Sequence, residues 1–189
     1  MSLGHAILAA LLDGEASGYD LAKRFDSSVA NFWPATRQQL YRELDKLEAA
    51  KLVRARLVRQ QDRPDKRVFK LSAAGRRELH AFIEQGPRIS KIRDELLVQM
   101  QGSDDSDASA LLESLALRLQ ASQEKLHFYE RLREHLLQGA TEADYLRETK
   151  RVGPYLTLLR GMAFEQENVQ WCQRCIAVMR SRHPSPEDR

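Results

Sequence analysis

The sequence contains few of the features on which several classes of protein depend. It has only two cysteines, Cys172 and Cys175, which argues against a disulfide-stabilised scaffold and makes a reducing cytoplasm the expected location. No apolar run approaches the roughly 20 residues that a membrane-spanning helix requires. Residues 1–17 are apolar at their centre but lack a basic leading segment, so we do not predict a signal peptide there.

Signatures of catalysis and of metal binding are also missing. His5, His80, His127 and His135 show no metal-ligand spacing, and we find no Ser/His/Asp arrangement, glycine-rich phosphate loop or pair of catalytic carboxylates. Cys-Gln-Arg-Cys at 172–175 has the spacing of a redox or zinc pair, but zinc would need two further ligands. Cysteines at i and i+3 of a helix share a face and pack as small hydrophobes, which favours a structural role over redox sensing. We predict neither an enzyme nor a cofactor.

Positive charge is concentrated in one stretch of a chain whose net charge is only +3. Residues 1–88 contain 16 Lys and Arg against 11 Asp and Glu, whereas residues 89–189 contain 14 against 16. Most of the excess lies in residues 51–70, where eight basic side chains accompany Asp62 and Asp65. A local basic patch on a nearly neutral protein indicates a polyanionic partner, with a solvated hairpin of scattered charge as an equal alternative.

Residues 32–47 are predicted to form an amphipathic helix with two chemically different faces. Leu40, Leu44 and Leu47 recur at helical spacing and predict a buried face. The other face carries Gln and Arg, whose hydrogen-bonding groups match base edges and phosphates. We predict that this helix enters a DNA groove, with Asp45 directed out of it because phosphates repel a carboxylate. The predicted contacts here and on the preceding helix are Tyr19, Lys23, Thr36, Arg37, Gln38, Gln39, Tyr41 and Arg42.

The elements around this helix follow the order of a winged helix-turn-helix. Helices are predicted before it at 2–12 and 18–27. After it, alternating apolar residues predict strands at 52–58 and 67–72, joined by a basic turn and followed by a fourth helix. In such a domain the third helix enters the major groove, and the hairpin lies against the backbone or the minor groove. The predicted contacts of the wing are Arg63, Lys66 and Arg67.

The C-terminal half is predicted to be helical. Its elements are a short helix at 88–100, an acidic linker at about 102–109, long helices at about 107–138 and 142–181, and a frayed tail at 182–189. Gly153-Pro154 should kink the last helix or split it in two. Each long helix carries an apolar seam at 3–4 spacing, interrupted by Ser122, Arg133 and Glu165.

These two seams predict a dimer. The long helices could pack on each other within one chain, and part of this must hold, but little else nearby would cover both seams and the short helix. Pairing with a second copy is therefore preferred. A dimer would space two reading helices about 34 Å apart and so predicts a pseudo-palindromic operator. The predicted interface residues are Leu112, Leu115, Leu119, Leu158, Met162, Val169, Cys172, Ile176 and Met179.

Three stretches of the sequence carry a family resemblance: GYDLAKRF, FWPATRQQLYRELDKLEAAKLV and RPDKRVFKLSAAGRREL. They resemble the PadR family of bacterial transcriptional regulators, with a QQLYREL…LE core and a P-[DN]-[KR]-x-x-[YF]-x-L-[ST]-x-x-G wing. RISKIRDELLVQM is similar to the start of that family's C-terminal helical domain. Lys51 departs from the family, which usually has glycine at this helix end, and this puts the left-handed cap in question. The resemblance implies dimerisation through the C-terminal helices and, as in some members, a small aromatic effector.

The predicted fold is mainly α. An N-terminal winged helix-turn-helix domain at residues 1–86 has a three-helix core and a two-stranded wing, and residues 87–189 form a C-terminal helical dimerisation domain. The predicted function is that of a cytoplasmic, homodimeric, DNA-binding transcriptional regulator, specifically a ligand-responsive repressor. The alternatives are a winged-helix regulator of another family, such as the MarR type, and a winged-helix protein-interaction module that binds no DNA.

Overall fold

The computed structural model describes residues 3–28, 33, 35–59, 65–87, 93–105 and 108–182. The side chains of residues 26–28 and 105 are not described. The chain divides into two compact units, residues 1–89 and 90–189, and the predicted boundary falls at 86/87. Arg63 and the predicted tail from residue 183 onward lie outside the described residues.

The first unit is a small helical domain with a three-stranded antiparallel sheet. Its elements are α1 (Leu3–Ala10), a 3-10 turn (Leu11–Asp13), β1 (Ala16–Ser17), α2 (Gly18–Ser28), α3 (Arg37–Ala49), β2 (Val53–Val58), β3 (Lys66–Leu71) and α4 (Ala73–Glu84). The strand order is β1-β3-β2. The helices and the hairpin follow the predicted order, and β1, which pairs Ala16 with Phe69 and Ser17 with Val68, was not predicted. The winged-helix layout is confirmed.

The leucine face of α3 lies in the core of this unit. Leu40 and Leu44 are almost fully buried, and Leu47 is buried beside them. They join apolar side chains from the other helices and from the sheet: Ile7, Leu8, Leu21, Phe25, Val53, Phe69, Leu71 and Leu79. Burying a leucine contributes about 1.5–3 kcal/mol, so this face holds α3 firmly in one orientation.

The fourth helix packs closely on the start of the hairpin. The Ser72 hydroxyl accepts a hydrogen bond from the Gly75 N–H at 2.9 Å and donates one to the Lys51 carbonyl at 2.8 Å. A Cβ added at Gly75 would lie 2.1 Å from the Leu52 carbonyl oxygen, so only glycine fits here. This contact explains the glycine that ends the wing pattern.

The second unit is built on two long helices. Its elements are α5 (Glu95–Gln101), a 3-10 turn (Ser103–Asp105), α6 (Ala108–Leu137), α7 (Glu142–Glu148) and α8 (Gly153–Arg182). The predicted linker thus includes the 3-10 turn, in which Ser103 is buried, and the first two residues of α6. Gly153-Pro154 splits the last predicted helix in two, because proline is tolerated in a first helical turn and breaks a helix interior. The predicted C-terminal helical architecture is confirmed.

The residues that interrupt the two apolar seams are themselves buried or paired. Glu165 is 5% exposed, and its carboxylate lies 3.0 Å from the Lys125 ammonium and accepts a hydrogen bond from Asn168. Burial lowers the pKa of Lys125, but the hydrogen bond and the charge of Glu165 outweigh it and raise that pKa. Arg133 donates hydrogen bonds to the Tyr155 hydroxyl and to Glu142, at 3.1 and 2.8 Å. Lys125 of α6 meets Glu165 of α8, and Arg133, which lies later in α6, meets Tyr155, which lies earlier in α8. The two helices are therefore antiparallel.

Four of the predicted interface residues are covered within the single chain. Leu115, Leu158, Cys172 and Met179 are buried, because α6 and α8 pack directly on each other. For these four, the prediction of a surface open to a second copy is therefore corrected. The remaining five are only partly buried: Leu112, Leu119, Met162, Val169 and Ile176. Burial raises the pKa of both the Cys172 and the Cys175 thiol, which disfavours the thiolate that redox sensing requires.

Lys51 adopts the left-handed conformation that its family position usually assigns to glycine. Its φ is 59°, and the Leu52 N–H reaches back to the Leu47 carbonyl at 2.9 Å. The cap geometry in question is thus retained despite the side chain.

Replacing Lys51 by glycine should therefore stabilise the protein. Glycine removes the steric cost of a left-handed L-residue, partly offset by its greater backbone entropy, so we expect a gain of roughly 0.5–1 kcal/mol. The urea unfolding midpoint measures it. Lys51→Ala, which also removes the charge but keeps the Cβ, should give no such gain. An equal gain in both variants would assign the effect to charge and contradict the backbone explanation.

Candidate nucleic-acid interface

The polar face of α3 is exposed along the first half of the helix. Arg37, Gln38, Tyr41 and Arg42 all lie on the surface. Among the residues that the structure describes, no hydrogen bond or ion pair engages the side chains of Gln38 and Arg42. Their amide and guanidinium groups are the types that bind base edges bidentately. The structure therefore leaves the predicted reading groups available.

Thr36 and Gln39, two of the other predicted DNA contacts, cap the N-terminus of α3. The Thr36 hydroxyl accepts a hydrogen bond from the Gln39 N–H at 3.2 Å, and the Thr36 N–H donates to the Gln39 side-chain oxygen at 2.8 Å. This reciprocal capping box satisfies two N–H groups that the helix leaves unpaired. Threonine followed three residues later by glutamine is the sequence spacing that signals such a box.

The start of α2 lies beside the exposed face of α3. The Arg37 guanidinium carbon is 6.0 Å from the centroid of the Tyr19 ring, and Tyr19 is 63% exposed. Lys23 is exposed one turn further along α2. The structure thus brings together predicted contacts from two separate helices.

An open groove of about 500 Å³ lies between the start of α2 and the first half of β3. Tyr19, Tyr41 and Lys66 line it together with two carboxylates, Asp20 and Asp65. The Ser17 hydroxyl donates a hydrogen bond to Asp20 at 2.7 Å and lowers the pKa of that carboxyl. The groove therefore offers hydroxyl and ammonium donors in a setting of mixed charge.

Arg67 connects the hairpin to α3, a contact that the sequence does not predict. One terminal nitrogen of its guanidinium donates to Asp45 at 2.8 Å and the other pairs with Glu48, both on α3. The hydrogen bond to Asp45 raises the pKa of Arg67. Because both terminal nitrogens are engaged, Arg67 joins β3 to α3, and its predicted contact with DNA stays a prediction. Asp45 lies beyond the predicted reading residues and serves this contact.

The other basic side chains of residues 51–70 differ in whether a carboxylate neutralises them. Arg56 is paired with Glu15, which precedes β1, so a second cation of the hairpin is neutralised. Lys66 is exposed, and no described side chain forms an ion pair with it. The other exposed cations of the described hairpin and its approach are Lys51, Arg54, Arg59 and Lys70. The positive charge that faces solvent is consequently smaller than the sequence count indicates.

Other kinds of site find no support in the described part of the chain. No group of three or more His, Cys, Asp or Glu side chains there could hold a metal ion. None of the helices between residues 3 and 182 that the structure describes combines the length and the apolar character needed to span a membrane.

Comparisons with known proteins match both units. Residues 7–81 match the family model for the transcriptional regulator PadR-like family, and residues 92–180 match the model described as virulence activator alpha C-term. The chain is 31% identical to the probable transcriptional regulator Rv1176c of Mycobacterium tuberculosis, over 96% of this chain and 100% of that protein. It is 29% identical to the negative transcriptional regulator PadR of Bacillus subtilis, over 94% and 97% of the two chains.

Solved structures of Bacillus subtilis PadR are similar over nearly the whole chain. The crystal structure in complex with operator DNA matches with a TM-score of 0.76 and 26% identity, covering 93% of this chain and 97% of that one. The crystal structure in complex with p-coumaric acid matches with a TM-score of 0.69 and 25% identity, covering 94% of each chain.

Replacing Arg67 by alanine should loosen the wing. Arg67 is about half exposed, so the loss should be at most about 1 kcal/mol for its screened ion pairs, accompanied by faster amide exchange in β2 and β3. Lys66→Ala is the matched control, since Lys66 is adjacent to Arg67 in β3 and its ammonium forms no ion pair with a described carboxylate. Equal effects of the two substitutions on exchange in the hairpin would contradict the role assigned to Arg67.

Proposed function

The chain belongs to the PadR-like family of transcriptional regulators, and from this membership we propose that it is a homodimeric repressor that binds a pseudo-palindromic operator. The observation that carries the proposal is the exposed face of α3, where Gln38 and Arg42 have no partner among the described residues. Lys66 and the groove beside it supply phosphate contacts, which position the protein without reading sequence. The family membership argues against a regulator of the MarR type.

Repression and operator binding are supported by a relative over almost its full length. Bacillus subtilis PadR is named a negative transcriptional regulator and has been crystallised with operator DNA. The winged helix of this chain places a polar helix and a basic hairpin on one unit, as a major-groove reader requires. A protein-interaction module would not need this arrangement and would show no salt-dependent binding to DNA.

A second copy accounts for the apolar surface left on the C-terminal helices. Leu112, Leu119 and Ile176 are only partly covered by their own chain, and Leu156 and Phe164 on α8 are 49% and 45% exposed. We assign the partly buried members of the predicted interface to this contact. Dimerisation would also place two reading helices about one DNA turn apart.

A small aromatic effector is the second part of the proposal. Bacillus subtilis PadR has been crystallised with p-coumaric acid, and an effector of that chemistry would shift the equilibrium between operator-bound and free protein. The proposed partner is chromosomal DNA, so we place the protein in the cytoplasm. A transcriptional regulator of this kind needs no catalytic activity, and we propose that the protein has none.

Replacing Lys66 by alanine should weaken binding to all DNA sequences alike. A phosphate contact releases counterions, so the log–log dependence of affinity on salt should become shallower by about 0.9. A shift assay at several salt concentrations measures the slope. Lys150→Ala, which removes an exposed charge from the second unit, is the control. If wild-type protein shifts no DNA at any salt concentration, DNA binding is refuted, and binding without salt dependence would refute the phosphate contacts.

Replacing Gln38 or Arg42 by alanine should instead relax sequence preference. The loss of one bidentate base contact costs about 1–3 kcal/mol on the operator and much less on unrelated DNA. Competition between operator and scrambled duplexes measures the ratio. Lys46→Ala is the control, because Lys46 lies further along α3 and pairs with Glu43 at 3.1 Å. Unchanged discrimination in both variants would mean that a different face reads the bases.

A further inference from the structure

The ring of Tyr41 occupies the space in which any residue other than glycine would place a Cβ at position 18. An ideal Cβ on Gly18 would lie 2.2 Å from Cε1, 2.9 Å from Cζ and 3.1 Å from the hydroxyl oxygen of Tyr41. Real Cβ atoms do not approach other atoms at 2.2 Å, so the present position of the ring depends on the glycine. Gly18 is buried and is the first residue of α2.

The ring, rather than the fold, would yield to a larger residue at this position. Tyr41 is 44% exposed, so its side chain can rotate outward without disturbing the leucine face of α3. Alanine is also a better helix former than glycine. A methyl group at position 18 should therefore displace the tyrosine and leave the domain folded.

The position that Gly18 permits is useful for binding DNA. It holds the Tyr41 hydroxyl at the start of α2, in the groove lined by Lys66. Packing against the helix start also restricts the side chain before binding, which reduces the entropy lost when a contact forms.

We infer that Gly18 is a positioning residue of the DNA interface, because it allows Tyr41 to lie against α2 with its hydroxyl directed at a backbone phosphate. The inference rests on the proposed function and adds a residue to it that touches no DNA itself. Glycine is required at position 18 because the Tyr41 ring fills the space of a Cβ, and its conformational freedom is not needed there.

The test compares Gly18→Ala, Tyr41→Phe and the double variant in operator binding. Phenylalanine keeps the ring but removes the hydroxyl, so each single variant should bind about tenfold more weakly, as expected for one lost hydrogen bond to a charged group. The double variant should also lose about tenfold, because both changes remove the same contact. No charge is removed, so the salt dependence should keep the wild-type slope.

Gly153→Ala is the matched control. Gly153 is also the first residue of a helix, and a Cβ there would meet nothing within 4 Å. This variant should bind as wild type, and neither glycine variant should have a lower thermal midpoint.

The possible results distinguish a failure of the positioning role of Gly18 from a failure of the proposed function. If Gly18→Ala binds as wild type, if the losses multiply in the double variant, or if Gly18→Ala alone unfolds at a lower temperature, the positioning role is overturned. If wild-type protein shows no salt-dependent binding to DNA, the proposed function is overturned and this inference with it.

Discussion

Burial of the leucine face of α3 is the constraint on which the N-terminal unit depends. Leu40, Leu44 and Leu47 together contribute several kcal/mol, a large share of the 5–15 kcal/mol by which domains are typically stable. Because a helix has 3.6 residues per turn, fixing these three positions also fixes which side chains face solvent. The exposure of Gln38 and Arg42 is thus a consequence of the core, and the reading face cannot rotate without unpacking it.

The sequence predicts those parts of the N-terminal unit that depend on the spacing of neighbouring residues along the chain. The helices follow from apolar residues three and four apart, the hairpin follows from alternation, and Thr36 and Ser72 mark helix starts by residue type. The contact between Arg67 and Asp45 could not be predicted in this way, because its partners lie 22 positions apart. The two-residue strand β1 carries too few residues for any periodicity. The clash between Gly18 and Tyr41 likewise depends on how two helices pack.

The C-terminal helices show a different limit of periodicity. An apolar seam indicates which face of a helix is covered but does not identify what covers it. The spacing therefore predicts a partner for Leu115 and Cys172, although their own chain buries them. The polar interruptions carry the missing information. An unpaired carboxylate in such a seam is costly, so Glu165 requires a cation opposite it, and Lys125 on α6 meets this need. An apolar seam tolerates sliding, whereas this pair fixes one register.

The tie between Arg67 and α3 changes the electrostatics of the proposed interface. A carboxylate on a DNA-reading helix is unfavourable near phosphates, yet Asp45 and Glu48 both face the same guanidinium, and the three groups together carry a net charge of −1. Arg56 is likewise offset by Glu15. Two of the basic residues of the hairpin therefore serve to orient it and add little attraction for phosphate. The non-specific attraction of this unit for DNA should thus be weaker than its count of Lys and Arg suggests. More of the affinity for an operator then depends on the base contacts of α3, whose orientation the leucine face fixes.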